Sequence, residues 1–214
     1  MKSPAQNPAV ANTATPNTDA LTLTRRSFMI GSVAGGLVMA FGGLIASGSA
    51  RAELAARRFS PAVWFEMDAE GRTLVNIAKA EMGQHVGTAL ARILADELGL
   101  AWSDVHIRYV DSDPRWGYMI TGGSWSVWTS FTLLSQAGAA GRLVLLEQGA
   151  RLMGVAADTC QVGDSRVRCG EQSISFGEIV QRGEIDRVFT AEELAALPVK
   201  PAQDRTLIGK AVRA

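Results

Sequence analysis

Cysteine and histidine are scarce in this chain, at two residues each among 214. Two cysteines cannot build the multi-bridge framework of a disulfide-held miniprotein, and no paired C-x-x-C offers a structural zinc site. Two histidines with no cysteine beside either give no obvious ligand set for a metal. Net charge is also missing, because 21 Lys and Arg balance 21 Asp and Glu. A zero balance leaves no electrostatic footprint for sequence-independent nucleic-acid binding, so no nucleic acid is expected as a partner. There is no G-x-S-x-G elbow, no H-E-x-x-H helix, no Walker A loop and no G-x-G-x-x-G after a strand. The sequence also lacks an internal repeat. What it does contain is ordinary for a globular protein: 47% apolar and 20% charged residues. That composition excludes wholesale disorder and a collagen-like chain.

The zero balance hides a split. Residues 1–52 carry Lys2, Arg25, Arg26 and Arg51 against Asp19, a net +3, which leaves −3 on the remainder. Residues 1–23 are rich in Ala, Asn, Pro, Ser and Thr and show no periodic apolar pattern, so they read as disordered. Thr24-Arg25-Arg26-Ser27-Phe28-Met29 then leads into an uncharged stretch, Met29 to Ala50, closed by the small-residue cleavage pattern Ala50-Arg51-Ala52. The paired arginines followed by Ser-Phe resemble a twin-arginine (Tat) export signal. Gly31, Gly35, Gly36, Gly42, Gly43 and Gly48 dilute the apolar segment, which favours that route over general secretion. The expectation is a periplasmic protein. The stretch is also long enough to span a ~30 Å hydrocarbon core, so retention at the inner membrane is the alternative.

The rest reads as a single α+β unit. Val63–Asp68 and Thr73–Lys79 are strand-like around the turn Ala69-Glu70-Gly71 and predict a hairpin. Leu90, Ile93, Leu94, Glu97 and Leu98 fall at helical spacing in 89–98, with Gly99 as a natural C-cap. Val105–Val110 alternates as a strand. Residues 111–126 form a long loop with Pro114, three glycines and three aromatics, the profile of a binding loop. Trp128–Met153 predicts one long helix, with Ala137-Gly138-Ala139-Ala140-Gly141 allowing close approach of a neighbour. Thr159–Val162 and Arg166–Cys169 predict a second hairpin, and Ser175-x-x-Glu178 a capping box opening a helix over 176–182. The fold expected is a small mixed sheet covered by two main helices. The boundaries are a leader over 1–52, an α+β domain over 53–182 and an extended polar tail over 183–214.

Few residues outside two loops invite chemistry. His106 lies in a strand on the face opposite Val105 and Ile107, which predicts a solvent-facing or paired side chain, and His85 lies in the loop before a helix. Asp96 and Glu97 read as the solvated side of the first helix, and Asp111 and Asp113 as the rim of a loop. Two segments stand out. Ala80-Glu81-Met82-Gly83-Gln84-His85-Val86-Gly87-Thr88 runs from strand into helix, where backbone N–H groups favour an anionic oxygen and Gln84 suits a heterocycle edge. Ile120-Thr121-Gly122-Gly123-Ser124-Trp125-Ser126-Val127 again enters a helix, with two glycines and three hydroxyls able to meet phosphate oxygens. An ordinary capped helix start would also explain either segment.

Together these segments resemble a known pattern. Glu81-Met82-Gly83-Gln84 with Thr88, then Trp102-Ser103-Asp104-Val105, Asp113-Pro114, and Thr121-Gly122-Gly123-Ser124 with Ser126-Val127 and an alanine-rich helix, is similar to the xanthine dehydrogenase family of molybdenum hydroxylases. The isoquinoline 1-oxidoreductase β-subunit and exported aldehyde dehydrogenase branches are the most alike. The resemblance runs from the leader to Leu207-Ile208-Gly209-Lys210. It implies that 53–182 is part of a larger molybdopterin-binding subunit. Gly83, Gln84 and Thr88 would then line a molybdopterin cytosine dinucleotide from one loop, and Thr121, Gly122, Gly123, Ser124 and Ser126 from the other. His85 replaces the family's usual glycine, and Trp125 stands where a smaller or basic residue is common.

The family's catalytic glutamate, in a G-x-G-E element, and the cysteines for two [2Fe–2S] clusters are not in this sequence. No catalytic residue is therefore assigned to this chain. The resemblance implies a molybdenum cofactor shared with a large molybdopterin-binding partner chain, a small [2Fe–2S] subunit, and in some systems a membrane cytochrome c subunit carrying haem c. The reaction implied is hydroxylation of an aldehyde or N-heterocycle with oxygen from water. The alternative is a periplasmic docking or structural subunit, or a truncated fragment, that binds no cofactor. Cys160 and Cys169 face each other if the second hairpin turns at Asp164-Ser165. A cross-strand disulfide is one outcome, and two buried thiols the other.

Overall fold

The computed structural model describes residues 30–31, 58–185 and 187–212. The twin-arginine motif and most of the apolar leader lie outside the described residues. Among those described, no helix is long and apolar enough to cross a membrane. Strand β1 (Ile30–Gly31) is the only part of the leader described, and it pairs antiparallel with β9 (Val188–Phe189).

The main sheet has the order β2-β3-β4-β5, formed by Arg58–Ala62, Phe65–Asp68, Thr73–Ile77 and Val105–Tyr109. β2, β3 and β4 run antiparallel, whereas β4 and β5 run parallel, joined through helix α1 (Val86–Leu98). The expected mixed sheet is therefore present, with β2 as an additional edge strand. The β3–β4 turn is built by Asp68: its Oδ1 accepts from Glu70 N at 3.1 Å and Arg72 N at 2.9 Å. Gly71 takes a φ of 84° there, the left-handed conformation that glycine adopts without steric cost. Phe65, Met67, Val75 and Ile77 point to one face and are buried. The period-two alternation predicts that face correctly.

Helix α2 (Ser126–Met153) crosses that face beside α1. A Cβ on Gly138 would sit 2.8 Å from Glu97 Cβ, and one on Gly141 would sit 2.7 Å from Phe65 Cζ and 2.8 Å from Leu98 Cδ1. The small-residue run thus lets α1 and the sheet approach the helix axis, as its composition predicts. α1 ends on Gly99 in the left-handed conformation. The second sheet, β6-β7-β8 (Cys160–Gly163, Arg166–Cys169, Gln172–Ser175), leads into helix α3 (Phe176–Arg182) through the predicted Ser175–Glu178 capping box. Val167, Ile174, Phe176 and Ile179 belong to the same core. Cys160 and Cys169 stand opposite in the ladder, Cα atoms 4.2 Å apart, and are joined as a disulfide rather than left as thiols.

Two sequence expectations fail here for related reasons. Asp96 and Glu97 are not on a solvated face: they are 1% and 0% exposed. Nor are residues 183–214 simply an extended polar tail. They carry β9 and helix α4 (Ala191–Ala196), and they bury Ile185, Phe189 and Leu194. Past α4 the chain straps across α1. Asp96 accepts from Thr206 N at 2.5 Å, Leu207 N at 3.1 Å and Ile208 N at 3.0 Å. Glu97 accepts from Lys200 N at 3.0 Å and pairs with Arg205 at 3.0 Å and Arg142 at 3.1 Å. Burying two carboxylates is tolerable because every oxygen meets a donor. The charges of the tail and those of α1 cancel one another across more than a hundred residues of sequence, which no local pattern displays.

Candidate functional site

The two parallel strands β4 and β5 end at the same edge of the sheet, and each is followed by a loop that enters a helix. Loop A (78–85) leads into α1 and loop B (110–125) into α2. This is the edge at which ligands bind in sheets with parallel strands. The structure therefore brings the two singled-out segments together.

Lys79 fastens them. Only 6% exposed, it donates from Nζ to the carbonyls of Tyr118 at 2.9 Å and Ile120 at 3.1 Å, and it lies 4.9 Å from the Tyr118 ring centroid. Burial pushes its ammonium pKa down. Beside it, Ala80 N donates to Thr121 Oγ1 at 2.8 Å. At the base of loop B, Asp113 Oδ1 accepts from Arg115 N at 2.9 Å, and Trp116 is buried with its ring centroid 5.7 Å from that of Trp64. A sixteen-residue loop is thus held at several points along its length.

Loop A differs from expectation in one respect that matters. Its N–H groups do not wait for an external anion, because Glu81 supplies one. Oε1 accepts from Gly83 N and His85 N, both at 2.9 Å, and Oε2 from Tyr109 Oη at 3.0 Å and more weakly from Gly87 N at 3.4 Å. Desolvation would raise the Glu81 carboxyl, but the hydrogen bonds from His85, Tyr109, Gly87 and Gly83 outweigh it and hold the pKa at about 2. Tyr109 is pushed up, first by desolvation and then by Glu81. Gln84 is engaged inside the loop as well, accepting from Met82 N at 2.7 Å and donating to Ala80 O at 2.9 Å. Gly83 lies on the surface with a φ of 95° and nothing within 4 Å of an added Cβ. His85 is exposed and takes a φ of 58°, a conformation that explains why the family pattern has glycine there. Thr88 lies in the first turn of α1, half-buried.

Loop B is arranged in the opposite way. Gly123 and Ser124 are both left-handed, at φ 57° and 58°, and Trp125 N closes the turn on Gly122 O at 3.1 Å. α2 opens without a side-chain cap and without an acidic residue in its first turn. Among the described residues, no acceptor meets the N–H groups of Gly123, Ser124, Ser126 and Val127, or the hydroxyls of Ser124 and Ser126. Gly122 has open space on its side-chain face, and the Trp125 ring lies 3.4–3.5 Å from where a Gly123 Cβ would be. Thr121, Gly122, Gly123, Ser124 and Ser126 therefore form one cluster, with Thr121 turned back to hold loop A.

Among the described residues, no group of three or more His, Cys, Asp or Glu side chains is placed to hold a metal ion. His106 is exposed on β5, on the face expected. Sequence reading missed Lys79, Glu81 and Tyr109. Glu81 was within reach, since an acid two residues before a glycine and four before the N-cap residue of a helix is placed to accept from both backbone N–H groups. The Lys79 contacts join residues some forty positions apart and have no local signature.

Residues 24–203 match the family described as Molybdopterin cofactor-binding domain. The chain is 47% identical over 193 residues to the "Membrane-bound aldehyde dehydrogenase [pyrroloquinoline-quinone]" of Gluconacetobacter polyoxogenes, covering 88% of this chain and 25% of that protein. It is 28% identical over 193 residues to "Isoquinoline 1-oxidoreductase subunit beta" of Brevundimonas diminuta, covering 85% of this chain and 25% of that one. Among solved structures it resembles quinoline 2-oxidoreductase from Pseudomonas putida 86, with a TM-score of 0.43 at 21% identity, over 59% of this chain and 18% of that one. The chain spans about a quarter of the length of the curated relatives it matches. The motif-based resemblance is borne out: the chain belongs to the molybdopterin cofactor-binding domain family, as part of a xanthine dehydrogenase-type subunit.

Proposed function

We propose that this chain supplies one wall of a molybdopterin-dinucleotide site in a molybdenum hydroxylase that oxidises aldehydes or N-heterocycles, with the reacting residues on a partner chain. The observation that carries this reading is the open donor set of loop B. Its N–H groups and hydroxyls, left-handed glycine turn and lack of a nearby capping acid suit the anionic oxygens of a pyrophosphate. Loop A does not fit that role, since Glu81 already fills its donors and would repel a second anion. It fits instead as a stiff wall, with Gly83 allowing close approach and Thr88 offering a hydroxyl.

When bound, the molybdenum cofactor supplies two-electron oxidation of a C–H bond with water as the oxygen source. The task of this chain is placement. Ser124, Ser126 and the Gly122–Gly123 backbone hold the dinucleotide, while Lys79 and Thr121 fix the distance between the loops. The partners that complete the system are a large chain with the rest of the family fold, a [2Fe–2S] subunit and, where electrons enter the membrane, a cytochrome c. The Tat-like leader supports export to the periplasm, with or without retention at the inner membrane. The cytosine form of the dinucleotide follows from the family resemblance. The name of one relative carries pyrroloquinoline quinone, so the cofactor must be identified chemically.

The test is to purify the tagged chain from its native envelope and measure molybdenum, acid-released nucleotide and quinone in what comes with it. About one molybdenum per complex with released cytidine nucleotide is expected, and Ser124→Ala with Gln84→Ala should lower cofactor content. Full cofactor content in that double variant overturns the assignment. A second reading, a docking subunit without cofactor, is favoured by the Trp125 ring folded onto Gly123. It requires a complex of normal stoichiometry whose activity ignores both loops.

A further inference from the structure

The hairpin β6–β7 is held at both ends. At its turn, Ser165 N donates to Gly99 O at 2.9 Å and Phe176 N to Ser165 O at 2.9 Å, while Ser165 Oγ accepts from Ala101 N at 3.0 Å. At the open end the disulfide joins Cys160 to Cys169, direct partners in the ladder. The two cysteines sit in unlike surroundings. β7 is the central strand of the second sheet, paired with β6 on one side and β8 on the other, and its Val167 is fully buried. Cys169, at the end of β7, is 6% exposed. β6 is an edge strand, and Cys160 is its first residue, half-exposed after the helical turn Ala157–Thr159. The carbonyl oxygen of Ala156 and the hydroxyl of Thr159 lie 3.5 and 3.8 Å from Cys160 Sγ, and both of those residues are exposed.

Thiol–disulfide exchange requires a thiolate to reach one of the two sulfurs, so access selects the sulfur attacked. Burial closes Cys169 to an external thiolate and leaves Cys160. Nor does the bridge by itself place the hairpin. The Ser165 contacts anchor the turn, and Val167 and Ile174 hold β7 and β8 in the core. Between turn and bridge the ladder is carried by Gln161 with Arg168, Val162 with Val167 and Gly163 with Arg166. Opening the bond therefore releases the first residue of an edge strand and leaves the core packed, a local opening rather than a global one. It also leaves the two sulfurs opposite one another, ready to close again.

We propose that Cys160 is a thiol–disulfide exchange site at which small thiols and disulfides open and close the bridge in the folded protein. In closing, the Cys160 thiolate attacks a sulfur of an external disulfide, forming a mixed disulfide and expelling one thiolate of that reagent. The Cys169 thiolate then attacks Cys160 Sγ, the Cys160–Cys169 bond forms, and the reagent's second thiolate leaves. The protein loses two thiol protons and two electrons, and the reagent is reduced to two thiols. Opening is the reverse, with an external dithiol supplying the electrons. This chemistry goes beyond the cofactor reading and does not depend on it. On the export reading it has a direction. A chain that crosses the membrane already folded meets an oxidising compartment with its strands paired, and Cys160 is where the oxidant enters.

The test uses the full 214-residue protein without denaturant. Dithiothreitol should open the bridge in the native state, at a rate that low urea leaves unchanged, and far-UV circular dichroism should persist. Iodoacetamide added next should label Cys160 at least about tenfold faster than Cys169, read by peptide mass spectrometry, because thiol reactivity follows access and thiolate character. Supplied instead with oxidised glutathione, the reduced protein should close its bridge, and the Cys169→Ser variant should retain a glutathionyl group on Cys160. The Cys160→Ser variant should leave Cys169 unmodified by the same reagent. The proposal is overturned by a bridge that opens only as urea accelerates unfolding, by equal labelling of the two cysteines, by loss of dichroism on reduction, or by glutathionylation of Cys169. The wild-type measurements decide the matter by themselves if either serine variant fails to fold.

Discussion

Glu81 shows how one side chain changes what a loop can bind. With a carboxyl pKa held at about 2, it stays ionised across the physiological range and occupies the N–H groups of loop A. Its folded pKa lies below the ordinary value of 4.5, so the stabilisation it gives is complete above that value and is lost as pH falls through about 2. Amide protection factors at Gly83 and His85, taken relative to the intrinsic exchange rate at each pH, should therefore stay constant from pH 7 to pH 5 and fall only near pH 2, as read by NMR. Glu81→Gln should expose both amides already at neutral pH. Gly87 is the companion position: a Cβ there would collide with Tyr109 Oη and stand 2.7 Å from Cζ. Gly87→Ala should cost about 1–3 kcal/mol through overpacking and displace Tyr109 from Glu81, which urea unfolding would measure.

At the scale of elements, α1 organises the molecule through two carboxylates that their charge alone assigns to water. Asp96 and Glu97 bind the strap, and Glu97 holds Arg142 and Arg205 in a nearly dry cluster. Removing one partner from such a cluster leaves an uncompensated charge. Glu97→Ala should therefore destabilise by about 3–5 kcal/mol. Arg151 offers the contrast, since its pair with Glu184 is exposed on both sides. Arg151→Ala should change stability by less than about 1 kcal/mol. Asp96→Ala should free the three backbone N–H groups at 206–208 and make the strap a site of limited proteolysis, while the apolar core stays intact.

Across the whole molecule, one core links two sheets, and the second sheet is stapled by Cys160–Cys169. The bridge closes a short loop, so its removal in Cys160→Ser with Cys169→Ser should lower stability by roughly 2–3 kcal/mol. Thermal unfolding with and without reductant should reproduce that difference. The edge proposed to face the cofactor lies at the ends of β4 and β5 and does not include the disulfide, so the same variant should leave cofactor content unchanged.

The sequence by itself determined the local elements: the β3–β4 hairpin, α1 with its glycine cap, the long α2, the Ser175 capping box and the two loops that enter helices. Each rests on interactions within a few residues, where alternation, helical spacing and turn chemistry leave a readable trace. The motif order was equally legible and led to the family. What tertiary structure alone decided is the sign and use of polar groups. Asp96 and Glu97 became buried partners of a strap a hundred residues away, Lys79 became the clasp between two loops, and Glu81 became an internal anion. The free energy of a charge depends on which donors surround it after folding, and that neighbourhood is not written beside it in the chain.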